Sequence, residues 1–209
     1  MLLSLVDSLR CPAHEEEASL VLAVESWMGP RISEGTLGCP ICHSRYPIHH
    51  GAVEFAPGAE SVRRDEAVVD PMRLAAQLSL TEPGGIILLT GRYTTVVEPL
   101  MSFGETTFIL VDAAPSSLPL AVNLGVGDRL PFVNAALRAA AIDETRAADA
   151  FLAEVVRCLR NMGRLVMPSS GALPRQTRVL ADDEHERVAE VMKEGQPILL
   201  RRAPPASGL

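Results

Sequence analysis

The sequence predicts an α/β protein: a doubly wound, mostly parallel sheet preceded by a small N-terminal lobe. Three observations carry this. Ile86–Leu89 is a short, unbroken apolar run between a Gly-Gly turn and Gly91, the pattern of a strand buried on both faces. From Pro71 onward helix and strand signals alternate, which implies a parallel sheet. Ahead of this stretch, Cys11 and His14, then Cys39 and Cys42, stand as short pairs with two residues between partners.

Composition narrows the class. The 209 residues suffice for one sizeable core, or for a small domain beside a medium one. Hydrophobic residues make up 47% of the chain, which excludes disorder. No apolar run approaches the roughly 18 residues of a membrane span. The opening MLLSLVDSLR carries neither a basic region nor a small-residue cleavage site, so no signal peptide is expected. A formal net charge of −7 argues against a general nucleic-acid surface. Lys193 is the single lysine, and arginine supplies every other cation. The cysteine pattern is not a disulfide framework, so a reducing, cytoplasmic setting is expected.

In chain order, Leu2, Leu3, Leu5, Val6 and Leu9 follow helical spacing, and Ala18–Glu25 is strand-like. Arg45–Ile48 and Ala52–Phe55 flank His49-His50-Gly51 as a hairpin. Residues 58–70 have linker character. Met72–Leu80 reads as a helix and Ile86–Leu89 as the central strand. Val96–Phe103 includes a short helix interrupted by Pro99, and Thr107–Val111 is a second buried strand ending at Asp112. Ser116–Leu124 reads as helical and Leu137–Ile142 as a third strand. Ala148–Arg160 has the clearest apolar stripe and is ended by Gly163. Arg164–Met167 is a fourth strand. His185–Met192 and Pro197–Arg201 close the sheet around a Glu194-Gly195 turn, ahead of a flexible tail at 204–209.

The paired Cys and His residues carry the sharpest chemistry. Two residues between ligands let one turn present both to a single ion, and four such ligands close a tetrahedral zinc shell. A closed shell makes the zinc structural, stabilising a lobe too small to rely on its own core. Cys11, His14, Cys39 and Cys42 are the candidate ligands. His43, His49 and His50 compete with His14, and the bland alternative keeps only Cys39 and Cys42. Cys158, on the apolar helix, is a packing residue.

Residues 3–57, through LRCPAH, GCPICHSRYPI and HHGAVEF, resemble the small zinc-ribbon family of methyltransferase activators. His14 stands where that family often has cysteine. The resemblance implies a domain that docks on methyltransferases rather than one that catalyses. The chain beyond is similar to class I S-adenosylmethionine-dependent methyltransferases, a Rossmann-like fold. PGGIILLTG, ILVDAAPSSLPLA, LPFVNAALRAA and FLAEVVRCLRNMGRLVM carry that similarity. The family's acidic-x-Gly-x-Gly-x-Gly signature falls on Leu89, Gly91, Tyr93 and Thr95, so one glycine survives. Tyr93 is expected to project into the cofactor's space. Asp112 matches the acid that grips the ribose, or else caps the segment after its strand. Val126 replaces the acid beside the adenine, with Asp128 two residues away, and Leu137-Arg138 replaces Phe-Asp.

The reading is a zinc ribbon (1–57), a linker (58–70), a methyltransferase-like domain (71–203) and a tail (204–209). Gly91 and Asp112 are the remaining cofactor-binding candidates, and no catalytic set stands out. Whether the chain is an enzyme is left open. A degenerate, auxiliary protein that binds a protein partner, a methyltransferase or a second copy, is the first reading. An active S-adenosylmethionine-dependent methyltransferase with an atypical loop is the alternative, and a site for another small ligand is a third. No membrane association is expected.

Overall fold

The computed structural model describes residues 1–14, 17–56, 68–81, 83–113 and 118–193. Among these described residues, eleven strands form one sheet. They are β1 (Val21–Met28), β2 (Arg31–Gly38), β3 (Arg45–His49), β4 (Ala52–Glu54), β5 (Ile86–Thr90), β6 (Thr107–Val111), β7 (Ala121–Gly125), β8 (Leu137–Ala141), β9 (Leu159–Pro168), β10 (Thr177–Asp182) and β11 (Glu186–Val191). Their order across the sheet is β1-β2-β3-β4-β7-β6-β5-β8-β9-β11-β10. The helices are α1 (Pro71–Gln77), α2 (Val97–Leu100) and α3 (Asp149–Cys158).

Strand β5 lies between β6 and β8, parallel to both, as its apolar run requires. Counting from β5, the parallel strands run third, second, first, fourth, fifth. This is the doubly wound order, and its switch point falls between β5 and β8. The pleat sends successive residues to opposite faces. Ile87, Leu89, Phe108 and Leu110 join one buried cluster with Leu74 and Tyr93. Leu88, Ile109, Ala140 and Leu165 join the other, with Phe151 and Val155 of α3.

Local chemistry explains several boundaries. Asp70 caps α1, accepting from the backbone of Met72 at 2.9 Å and Arg73 at 3.4 Å, with Pro71 at the first helical position. His50 and Gly51 both have positive φ, 50° and 79°, as a two-residue hairpin turn between β3 and β4 requires.

Four expectations are corrected. The stretch read as a helix over Ser116–Leu124 contains strand β7, paired with β6 on one side and β4 on the other. Helix α3 ends at Cys158 because Leu159 already belongs to β9. Gly163 is therefore no helix cap but sits inside β9, where a Cβ would lie 2.8 Å from the Arg160 carbonyl oxygen and 3.0 Å from that of Arg138. The hairpin partner of β11 is β10, which the sequence reading missed, and β9 takes the other edge. Pro197–Arg201 lies outside the described residues.

The N-terminal segment is stitched to the rest. β4 pairs in parallel with β7, Val53 opposite Leu124. Leu9 bridges Phe132, and Arg10 donates its backbone N–H to Pro131 at 3.0 Å. Arg31 of β2 donates to the carbonyls of Leu118 and Ala121 at the start of β7. Leu5, Leu9 and Ile48 share one apolar cluster with Leu124, Phe132 and Ile142. No described helix is long and apolar enough to cross a membrane.

Candidate metal centre and switch-point crevice

Two tight turns build the metal centre. In the first, Cys11 follows the 3-10 segment Leu3–Ser8, and its backbone N–H donates to the Ala18 carbonyl at 2.8 Å. The second joins β2 to β3. Cys39 donates its N–H to Ser44 at 2.9 Å and its carbonyl accepts from His43 at 2.9 Å, with His43 in the left-handed region at φ 61°. The ligand atoms of Cys11, His14, Cys39 and Cys42 all lie within 4.8 Å of one another.

The Sγ atoms of Cys11 and Cys42 are 3.7 Å apart. That is far beyond a disulfide bond. It matches a zinc tetrahedron, whose ~2.3 Å Zn–S bonds set sulfurs about 3.8 Å apart. Among the described residues His14 Nε2 is buried without a hydrogen-bond partner, an arrangement that costs free energy unless an ion takes the lone pair. Hydrogen bonds with the side chain and backbone of Ser44 bring the Cys42 thiol down to about 6. Burial pushes the Cys11 thiol up, against the hydrogen bond to Tyr46 Oη at 3.1 Å. His49 and His50 are engaged elsewhere, with Nδ1 atoms 3.0 and 3.6 Å from the Glu34 carboxylate at the β3–β4 turn. Among the described residues, the four predicted ligands are the group that could hold zinc. Cys158 is a buried packing residue whose thiol burial pushes up to about 12.

The crevice at the carboxyl ends of β5, β6 and β8 is built from different material. Gly91 follows β5 at φ 46°, and a Cβ there would sit 1.5 Å from Asp143 Oδ2. The glycine is required by this chain's own carboxylate. Asp143, just past β8 and 4% exposed, accepts from Thr90 Oγ1 at 3.0 Å, the Arg92 N–H at 3.3 Å and Thr145 Oγ1 at 2.7 Å. Asp112, at the end of β6, has a side chain 4% exposed and ion-pairs with Arg146. Its other oxygen accepts the Val126 N–H at 3.3 Å. Arg146 also donates to the Val126 carbonyl at 3.0 Å and lies 5.4 Å from the centre of the Phe151 ring. Gly91 and Asp112 thus face the same end of the sheet, each met by an internal partner.

Tyr93 corrects an expectation. The loop after β5 winds into the 3-10 turn Gly91–Val96, which turns the ring inward. It is 0% exposed and packs in the cluster with Leu74 and Leu78. Its hydroxyl donates to Glu186 at 2.8 Å and accepts from Arg92 at 3.0 Å. Asp143, not Tyr93, fills the space beside Gly91. Arg138 donates to the carbonyls of Ser79 and Gly84, clamping the turn before β5 from its N-terminal end. Asp128 is exposed. The sequence reading did not single out Asp143 or Arg146. The available signal was an acid directly following a buried strand beside the central one.

No protein-family model matches the sequence, and no curated protein matches it. Among solved structures, the [4+2]-cyclase SpnF is similar at 15% identity, covering 53% of this chain and 57% of that one, with a TM-score of 0.42. The antibiotic-resistance methyltransferase Kmr is similar at 13% identity, covering 61% and 95%, with a TM-score of 0.41. A complex of the Haloferax volcanii Trm112 methyltransferase activator with a methyltransferase is similar at 15% identity, covering 46% and 54%, with a TM-score of 0.36. The chain spans about half the length of the first of these structures. The structural neighbours include several methyltransferases. The doubly wound character rests on the strand order itself.

Proposed function

We propose that this chain is a non-catalytic, methyltransferase-like auxiliary protein whose zinc-ribbon lobe is seated on its own second lobe. The single observation that carries the reading is the closed crevice. Asp112, the one acid left for a ribose, is ion-paired with Arg146, and the space beside Gly91 is filled by the Asp143 carboxylate. The residues present do not fit S-adenosylmethionine. Binding would break two buried polar arrangements, each worth about 1.5–3 kcal/mol, which weakens affinity by roughly a hundredfold or worse. The zinc, by contrast, fits. Cys11, His14, Cys39 and Cys42 would hold it, and a closed four-ligand shell supplies folding free energy rather than catalysis.

The domain reading becomes a ribbon over 1–57, a linker over 58–70, a methyltransferase-like unit over 71–203 and a tail at 204–209. The β4–β7 pairing supports a docking that takes place within the chain. The sheet ends in two edge strands, β1 and β10, and β1, where Val21, Trp27 and Met28 are exposed, is the more apolar edge for a protein partner. None of the four cysteines is in a disulfide and three are proposed zinc ligands, which supports a reducing compartment such as the cytoplasm. The deciding experiment is calorimetric titration of the full chain with S-adenosylmethionine and S-adenosylhomocysteine. No heat at millimolar ligand is expected. Low-micromolar binding abolished by Asp112→Ala would instead establish an active cofactor site.

A further inference from the structure

Strands β9 and β10 run parallel, since both pair antiparallel with β11. Parallel strands are ordinarily joined through a helix that covers the sheet. Here the connection is only residues 169–176. It must return about half the length of β9, because Arg164 and Arg178 both stand opposite Glu190 while β9 ends at Pro168, opposite Glu186. The segment turns at both ends, at residues 169–170 and 175–176, and carries no helix. The outer flank of α3 is left with a cavity of about 540 Å³ beside it, a volume typical of small-molecule sites.

The cavity has a defined chemical layout. Asp149, Leu152, Ala153, Val156 and Arg157 line it from α3, at the spacing of one helical flank, which makes a groove about 12 Å long. Leu173 and Pro174 form the opposite apolar wall. Arg175 and Lys193 also line it, and Lys193 is the only lysine of a chain whose net charge is −7. Lys193 is anchored: its Nζ donates to the Arg157 carbonyl at 2.8 Å, and its backbone N–H donates to Asn161 Oδ1 at 2.9 Å. That Nζ bond uses one of three N–H groups. Arg157 is held by Glu154 and by the carbonyls of Leu130 and Phe132. The acid in the lining, Asp149, lies at the other end of the helical flank from Arg157 and Lys193.

We propose that this groove binds a small amphipathic anion, its apolar body along Leu152, Val156 and Leu173 and its acidic head at Lys193 and Arg175. An apolar floor with cations along one part of the rim suits a medium-chain organic acid. The site is separate from the switch-point crevice and does not depend on the reading of that crevice.

The test uses the full chain, with decanoate as probe and decanol as its uncharged counterpart, each displacing 8-anilinonaphthalene-1-sulfonate. Decanoate is expected to bind about tenfold more tightly than decanol, the effect of one favourable charge contact. Ala153→Trp fills the groove from an exposed helix position and should abolish displacement while circular dichroism and melting stay unchanged. Lys193→Met with Arg175→Ala should erase the preference for decanoate and leave the weaker decanol binding. Acylation of the single lysine should slow when decanoate is present. Equal binding of the two probes, or an undiminished signal in Ala153→Trp, would overturn the proposal. So would binding that arises only after removal of residues 194–209, which would make the groove a seat for the chain's own tail.

Discussion

Two places in this molecule gather polar side chains onto one point, and they end in opposite states. At the candidate metal centre the converging groups do not satisfy one another: among the described residues His14 Nε2 is buried without a hydrogen-bond partner, and two sulfurs stand 3.7 Å apart. At the switch point they satisfy each other: Asp112 with Arg146 and Val126, Asp143 with Thr90, Arg92 and Thr145. Convergence alone does not make a binding site. What distinguishes a site is converging groups whose bonding capacity the protein has not already used.

The largest test of this contrast is metal removal. Structural zinc contributes on the order of 10–16 kcal/mol in isolated zinc-finger peptides. The N-terminal lobe shares its apolar cluster with Leu124 and Phe132, and β4 extends the sheet through β7. Chelation, or Cys39→Ser, should therefore unsettle the whole chain rather than one lobe. A single melting transition lowered by roughly 10 °C or more is expected. Metal analysis well below one zinc per chain in an unchelated preparation would defeat the assignment.

Gly91→Ala comes next. The new Cβ would collide with Asp143 Oδ2 and would hold alanine at φ 46°. Strain and overpacking together should cost about 3 kcal/mol in urea unfolding. In an Asp143→Gly background the penalty should shrink to the backbone part, about 1 kcal/mol. An equal penalty in both backgrounds would mean that the glycine serves something other than the carboxylate.

Arg146→Ala should cost somewhat less, about 2 kcal/mol, because it strands the buried Asp112 carboxylate while Arg146 itself is partly exposed. Adding Asp112→Asn should recover most of that loss. Independent, additive effects would show that the two residues are not coupled. Even with Arg146 removed, S-adenosylmethionine should not bind, since Asp143 still occupies the space beside Gly91.

The unequal legibility of these two places has a physical origin. Cys11, His14, Cys39 and Cys42 were readable because two residues between ligands is a local property, written into one turn at a time. Strands β5 and β6 were readable because burial on both faces demands an unbroken apolar run. Asp143 reaches Thr90 across 53 positions and Arg146 reaches Asp112 across 34, and no spacing rule connects them before the parallel sheet is assembled. The stretch Ser116–Leu124 reads as helical, yet it holds β7. Pairing with β4 and β6 decided otherwise. β10 escaped notice because it is an edge strand with most side chains exposed, so it carries no apolar alternation.

The smallest effect belongs to Tyr93, and it bears directly on why the crevice is closed. If the ring projected into the crevice, Tyr93→Phe would leave stability untouched, while a smaller residue would open the space to ligand. The ring is instead fully buried beside Leu74 and Leu78, and its hydroxyl bonds Glu186 at 2.8 Å. Phenylalanine would keep the packing and remove that bond together with the one accepted from Arg92 at 3.0 Å. Glu186 would retain Gln77 at 3.0 Å and Arg92 at 3.3 Å, so the carboxylate would not be stranded. The expected cost is about 1–2 kcal/mol, the net value of two hydrogen bonds whose loss leaves both partners satisfied. Tyr93→Ala should cost roughly 3–5 kcal/mol, through the cavity left by the ring. Neither variant should gain affinity for S-adenosylmethionine in titration. A Tyr93→Ala chain that melts like the wild type and binds the cofactor would put the ring back in the crevice and make Asp143 a bystander.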